Sequence, residues 1–139
     1  MTAIHLPVIS AITAGVLIII QMLLMLATAF TRRRTRQSLG DGGDATMLRA
    51  VRRHGNFAEN AALFVAGFAL FEMLGGLPQV VAAMCAIFVV GRISHIIALS
   101  QTNTLGPLRF GAVISTAGVG FFLGVRLILL AAPLIHVPF

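Results

Sequence analysis

The sequence has few charged residues, which limits the classes of protein it can form. Only 10% of its 139 residues are charged, whereas a typical soluble domain has about 25%. With 58% hydrophobic residues and a mean hydropathy of +1.00, this scarcity excludes a soluble globular domain and predicts an integral membrane protein. The length suits one compact unit, which we place at residues 1–139.

Cysteine is almost absent, and this excludes two further classes of protein. The single cysteine, Cys85, cannot form a disulfide framework or a multi-cysteine zinc site within one chain. It lies within an apolar run, so we expect a small, buried core residue, and we expect no bound metal. The amino-terminal stretch "MTAIHLPVIS" also lacks a basic region, so we expect the apolar run that follows to be a retained anchor.

Lysine is absent, and all ten basic residues are arginines. The pI near 11.8 is also typical of nucleic-acid-binding proteins, but most of these arginines cluster around one polar break between apolar runs. This clustering fits a topology signal or an anion site, and we expect no nucleic-acid partner. By the positive-inside rule, both longer loops lie in the cytoplasm and both termini lie outside it, and the expected location is a bacterial inner membrane.

Four apolar stretches are separated by polar or turn-forming breaks. The predicted spans are 8–30, 45–75, 79–100 and 108–132, of which the first carries no charge and is long enough to cross the hydrocarbon core. Asp44 is expected to cap the second helix, and Pro78 to begin the third. Because short connections join antiparallel neighbours, the sequence predicts an all-α fold, an integral membrane four-helix bundle.

A polar stripe enters the second span. Arg49, Arg52, Asn56 and Glu59 are spaced by three, four and three residues, so they share one helical face. An ionisable side chain at the centre of a membrane-spanning helix costs roughly 3 kcal/mol, and it therefore usually faces a partner or a cavity. Glu59, the deepest of the four, is expected to pair either with Arg92 of the third span or with the cationic end of a ligand.

The third and fourth spans add further polar groups near the same end of the bundle. Arg92 and His95 lie three residues apart in "GRISHIIALS", and Arg109 begins the fourth span, where a helix N-terminus adds positive potential. Together with the stripe, they suit a small acidic peptide that has carboxylates and an ammonium group. Glu72 and Arg126 lie near the outer ends of the second and fourth spans, away from this site. They are expected to pair with each other there.

The segments "LRAVRRHGNFAEN" and "GRISHIIAL" resemble the MAPEG family, the membrane-associated proteins in eicosanoid and glutathione metabolism. The four spans, the basic first loop and the "PLR" that opens the last span add to the resemblance, which covers nearly the whole chain. Its most specific part is the pattern of Arg, three residues, Asn, two residues and Glu. The resemblance implies a homotrimer of four-helix bundles, with glutathione in a cytoplasm-facing cleft between protomers.

The same resemblance implies roles for individual residues. Five match glutathione-binding positions of the family, and the helical faces described above add two more, so that the expected glutathione contacts are Arg49, Arg52, His54, Asn56, Glu59, Arg92 and His95. Arg109 matches the arginine that stabilises the glutathione thiolate, and it is the expected catalytic residue. One of Arg32, Arg33 and Arg34 is expected to reach a carboxylate, and the choice among these three stays open.

The chain departs from the family in its catalytic half. It has no tyrosine, although family enzymes commonly place tyrosines near the positions of Asn60, Leu99 and Val113. Phe110 follows Arg109, where some members have a serine. Binding of glutathione is therefore better supported by the residues than catalysis.

Three functions remain open. The preferred one is a glutathione S-transferase or peroxidase that uses glutathione as co-substrate and acts on a lipophilic small molecule dissolved in the membrane lipid, with Phe57 and Phe110 forming an apolar bed. The alternative is a catalytically inactive MAPEG-like binding or structural protein, which the missing tyrosines favour. A small four-helix transporter is less favoured, because such proteins carry a carboxylate in the first span and this chain has no charge there.

Overall fold

The structure, a computed structural model, describes residues 5–101 and 106–136. Its helices are α1 (Val8–Thr35), α2 (Ala45–Met73), α3 (Pro78–Ser100) and α4 (Pro107–Ala131), followed by a short 3-10 helix, Ala132–His136. The described residues form no strand. The prediction of an all-α membrane helical bundle is therefore confirmed.

Three helical segments are long and apolar enough to cross a membrane: Val8–Thr35, Pro78–Ser100 and Pro107–Ile135. The helix α2 is also long, but it carries the polar stripe and is not among them. Within the bundle, α1 packs mainly on α2, and α3 packs mainly on α4. The helix α2 also packs on α3, so the polar helix contacts both of its sequence neighbours and keeps one face for the site.

Local signals set the starts of two helices as predicted. The Asp44 Oδ1 accepts hydrogen bonds from the backbone N–H groups of Thr46 and Met47, both at 2.8 Å. These two donors would otherwise lack partners in the first turn of α2. Pro78 is the first residue of α3, where its missing N–H costs nothing.

The end of α1 differs from the sequence prediction, because the helix continues five residues beyond Phe30, to Thr35. It stops where Arg36 adopts a left-handed backbone conformation, with φ 54°. Arg32 Nη1 donates to three carbonyl oxygens of the following loop, those of Gln37, Ser38 and Gly40, at 3.4, 3.4 and 3.0 Å. Arg32 is one of the three candidates for a contact with a ligand carboxylate, and in the structure its guanidinium stabilises this loop.

Phenylalanines fill the core where α2 and α3 meet. The Phe64 and Phe88 rings stack with their centroids 4.2 Å apart, and Phe68 meets both rings at an angle. Cys85 is buried, as predicted. Phe57 is also in this core, only 2% exposed, so the expectation that it forms part of an apolar bed in the site is wrong. It lies one residue past Asn56 and therefore on a different side of the helix from the polar stripe.

The expected pair between Glu72 and Arg126 does not form. The buried Glu72 carboxylate instead accepts hydrogen bonds from the backbone N–H groups of Ile9 and Ser10, at 3.0 and 2.8 Å, and from the Ser10 hydroxyl at 2.6 Å. These backbone donors lie at the N-terminus of α1, where N–H groups lack helical partners and the helix dipole favours a negative charge. Glu72 therefore links the end of α2 to the beginning of α1.

Candidate functional site

A polar cleft of about 560 Å³ lies between α2, the second half of α3 and the beginning of α4. This volume is within the range of roughly 300–1,000 Å³ that is usual for small-molecule sites. Six of the eight site residues expected from the sequence line it: Arg49, Arg52, Asn56, Glu59, His95 and Arg109. The helical spacing of the stripe thus brings α2 side chains together with those of two other helices.

The charges in this polar cleft are unequal. Among the described residues, three arginines (Arg49, Arg52 and Arg109) line it beside a single carboxylate, Glu59. Because α4 begins at Pro107, the partial positive charge of its N-terminus lies close to Arg109 and adds to the excess. The cleft is therefore suited to a small ligand that carries more negative than positive charge.

Glu59 does not pair with Arg92, the first of the two partners considered for it. Its side chain is exposed in the structure and makes no ion pair with the described residues. Arg92 is buried instead, only 3% exposed, and its Nη1 donates to Asn56 Oδ1 at 3.2 Å. Asn56 lies about one helical turn before Glu59 and accepts this hydrogen bond from the guanidinium. The Glu59 carboxylate therefore remains accessible from the polar cleft.

Arg92 and His54, the other two expected contacts, do not line the polar cleft. Arg92 lies behind Asn56 and also donates, through Nη2, to Thr116 Oγ1 at 2.5 Å. His54 is half-buried against α1, where its Nε2 lies 2.8 Å from Gln21 Nε2. In the structure, these two residues contact neighbouring helices and do not line the polar cleft.

A second, more apolar cleft of about 520 Å³ adjoins the first. Residues of α2 and α4 form most of its lining, which consists of Asn56, Asn60, Phe64, Arg92, His95, Val113, Thr116, Ala117, Gly120 and Phe121. Asn56 and His95 belong to both clefts. His95 is only 6% exposed, and its Nδ1 has no hydrogen-bond partner within the described part of the chain. These two side chains therefore form a partition between a polar and an apolar space.

Thr116 is the polar residue of the site that the sequence analysis missed. It stands in an apolar stretch of α4, where a lone threonine carries no motif. Thr116 follows Arg109 by seven residues, close to two full helical turns, so the two residues share a face of α4. The seven-residue spacing is the sequence signal that points to Thr116. It is informative only when Arg92 is known to lie opposite this face of α4.

Three other arginines lie outside the polar cleft. Arg53 Nη1 donates to Ser100 Oγ at 3.0 Å and so joins α2 to the end of α3. Arg33 and Arg34 are exposed on the last turns of α1 and do not line the polar cleft.

A comparison with protein families matches most of the chain. The sequence model of the MAPEG family matches residues 10–129, which include every residue of the two clefts. No curated protein matches the chain.

Proposed function

The chain belongs to the MAPEG family, and we propose that it binds glutathione in the polar cleft as co-substrate of a transferase or peroxidase reaction on lipophilic electrophiles. One observation carries this proposal. Three arginines share the cleft with one exposed carboxylate that has no ion-pair partner among the described residues. Glutathione matches this arrangement because it carries two carboxylates for the arginines and an ammonium group for Glu59.

The chemistry of a transferase requires the glutathione thiolate. A free thiol has a pKa near 8.5, so the thiolate is the minor form at neutral pH. The Arg109 guanidinium, at the N-terminus of α4, is placed to stabilise the thiolate and so to lower the thiol pKa of the bound peptide. The thiol proton leaves to solvent, the sulfur forms a bond to an electrophilic carbon, and the leaving group departs with the electron pair of the broken bond.

A peroxide would react by the same activated sulfur. The thiolate attacks one peroxide oxygen, the O–O bond breaks, and the released alkoxide takes a proton to become an alcohol. The sulfenic acid left on the first glutathione is reduced by a second glutathione, which yields the disulfide and water. In either reaction the apolar cleft behind Asn56 and His95 offers a place for the lipophilic partner, beside Phe64 and Phe121.

The assembly we propose is a homotrimer in a bacterial inner membrane, with both termini outside the cytoplasm. Arg52 and Glu59 are exposed on the protomer, and a neighbouring protomer would enclose a ligand bound between them. The small residues Gly111 and Gly118 support close helix approach, because no described residue outside the adjacent stretch of α4 has an atom within 4 Å of a Cβ built on either. Ser115 does not contribute to such a surface, since it packs against Gly91 inside the protomer.

A calorimetric titration of the detergent-purified protein with glutathione tests the proposed site. An analogue that lacks the amino group should bind the parent protein more weakly, because Glu59 then has no ammonium to pair with. The Glu59→Ala variant should bind glutathione and this analogue about equally. If Glu59→Ala retains the preference of the parent for glutathione, the carboxylate does not bind the ammonium group and the proposed pose is wrong.

The second candidate is a glutathione-binding protein without catalytic activity. The absence of tyrosine from the chain favours it, because no phenol is available to assist Arg109 at the sulfur. Titration of the bound thiol separates the two candidates. A protein that binds glutathione but holds it as the neutral thiol at pH 7 would belong to the second.

A further inference from the structure

We propose that Thr116 and Arg92 are positioning residues that fix the orientation of the Asn56 side-chain amide and thereby decide which ligand atoms the polar cleft accepts. The inference rests on the proposed function, since glutathione is the ligand by which it is tested. It concerns a chain of hydrogen bonds that crosses three helices, from α4 through α3 to α2.

The orientation of the Asn56 amide follows from the chemistry of its partner. A guanidinium has five N–H donors and no acceptor, so the amide atom that faces Arg92 Nη1 must be the oxygen. Arg92 is held in place by its burial among the helices and by the 2.5 Å hydrogen bond to Thr116. Rotating the amide by half a turn would bring its N–H₂ group against a cation, which the buried guanidinium does not allow.

Thr116 is itself fixed by the backbone of α4. Its hydroxyl donates its single proton to the carbonyl oxygen of Ala112 at 2.8 Å. A lone pair of Oγ1 is therefore left to accept from Arg92 Nη2. Each of these hydrogen bonds has only one possible assignment of donor and acceptor. The orientation of the Thr116 hydroxyl on α4 therefore determines, through Arg92, the orientation of the Asn56 amide on α2.

The consequence for the ligand is specific. Asn56 Nδ2 has no hydrogen-bond partner among the described residues, and Asn56 lines both clefts. The ligand group that meets Asn56 must then be an acceptor, such as a carboxylate or a peptide carbonyl oxygen of glutathione. A ligand that places an N–H group there would set one donor against the N–H₂ donors of Asn56. Such a ligand would bind less tightly.

Substitutions at Thr116 provide the first test. Thr116→Val keeps the shape but removes the acceptor of Arg92, and we expect glutathione to bind it roughly 3- to 10-fold more weakly by calorimetry, the effect of one lost hydrogen bond. Thr116→Ser should bind within about twofold of the parent because it keeps the hydroxyl. Ser115→Ala is the matched control: Ser115 Oγ also donates to the carbonyl oxygen of Ala112, at 3.0 Å, but it is not a partner of Arg92.

The Asn56→Asp variant distinguishes a positioning role of Arg92 and Thr116 from a purely structural one, because it should change thermal stability and glutathione affinity in opposite directions. In Asn56→Asp, one carboxylate oxygen keeps the hydrogen bond to Arg92 and now neutralises this buried cation, so the thermal unfolding temperature should rise. The second oxygen replaces the N–H donors in the cleft and repels an acceptor, so glutathione should bind at least tenfold more weakly. Stability and affinity are thus expected to change in opposite directions.

The outcomes that overturn the inference are distinct from those that overturn the proposed function. If the parent binds glutathione but Thr116→Val binds as well as Ser115→Ala, the positioning role is wrong and the glutathione site stands. The same conclusion follows if Asn56→Asp loses stability and affinity together. A parent protein that does not bind glutathione overturns both proposals.

Discussion

Glu72 and Ser10 meet at the beginning of α1, where the Glu72 carboxylate accepts from both the backbone N–H and the hydroxyl of Ser10, at 2.8 and 2.6 Å. Sixty-two residues separate them in sequence, so this contact closes the bundle at the end opposite the polar cleft. A carboxylate has only acceptors, and it matches a cluster of donors that a helix N-terminus always provides.

Replacing this carboxylate by an amide should weaken the fold. In Glu72→Gln, one of the two acceptor atoms becomes a donor that faces other donors, and the charge that favours the helix N-terminus is lost. We expect the free energy of unfolding to fall by about 1–3 kcal/mol. Thermal unfolding in detergent measures the change. Glu59→Gln is the control, because exposed Glu59 has no such partners among the described residues, and an equal loss of stability in both variants would contradict this account.

Removing the positive charge at Arg109 should raise the thiol pKa of bound glutathione. Arg109→Leu keeps bulk without the guanidinium, so the thiolate would form only at higher pH, by about one pH unit for each 1.4 kcal/mol of lost stabilisation. The ultraviolet absorbance of the thiolate reports this shift, and conjugation of a generic aromatic electrophile should fall with it. Arg109→Lys should recover part of both, since it restores charge but not the planar fork.

If bound glutathione still forms the thiolate at neutral pH in Arg109→Leu, another cation of the polar cleft stabilises it. Arg52 is then the next residue to replace, since it lines the same cleft. A parent protein with no bound thiolate at neutral pH would instead favour the non-catalytic candidate.

The arginines at the end of α1 should differ in their effect on the loop that follows. The shorter, uncharged side chain of Arg32→Gln keeps an N–H₂ group but cannot extend it to the three loop carbonyls, and we expect faster limited proteolysis between residues 36 and 44. Arg33→Gln is the matched control, because Arg33 is exposed and carries the same charge one residue later. Equal cleavage rates in the two variants would show that the loop does not depend on Arg32.

The proposed homotrimer predicts a defined mass. Native mass measurement in a gentle detergent should give three chains per particle, with or without glutathione. Replacing Gly118 by isoleucine should lower the trimeric fraction, because a branched side chain would project from a position that no described residue outside the adjacent stretch of α4 approaches within 4 Å. Only monomers and dimers in the parent protein would rule out the trimer.

The sequence predicted those features that depend on neighbouring residues. Asp44 and Pro78 act on the first turn of their own helices, so their roles could be read locally, and the polar stripe follows from the geometry of one helix. The end of α1 was placed too early, because the apolar run stops at Phe30 while the arginines after it still favour a helix.

Partners in space were harder to predict than positions along a helix. Arg92 and Glu59 were correctly expected near one end of the bundle, but depth along an axis does not say which way a side chain points. Glu72 was assigned to Arg126 because opposite charges attract, whereas the stronger partner was a set of backbone donors that has no signature in the amino-acid letters. Thr116 gained meaning only through Arg92.

The partition formed by Asn56 and His95 between the two clefts has a kinetic consequence. A water-soluble peptide and a lipid-dissolved electrophile would approach this wall from opposite sides, so neither has to pass through the place of the other. Neither reactant then has to bind first. Initial-rate plots for the proposed reaction should accordingly show intersecting lines, and the product-inhibition patterns should show no compulsory order of addition.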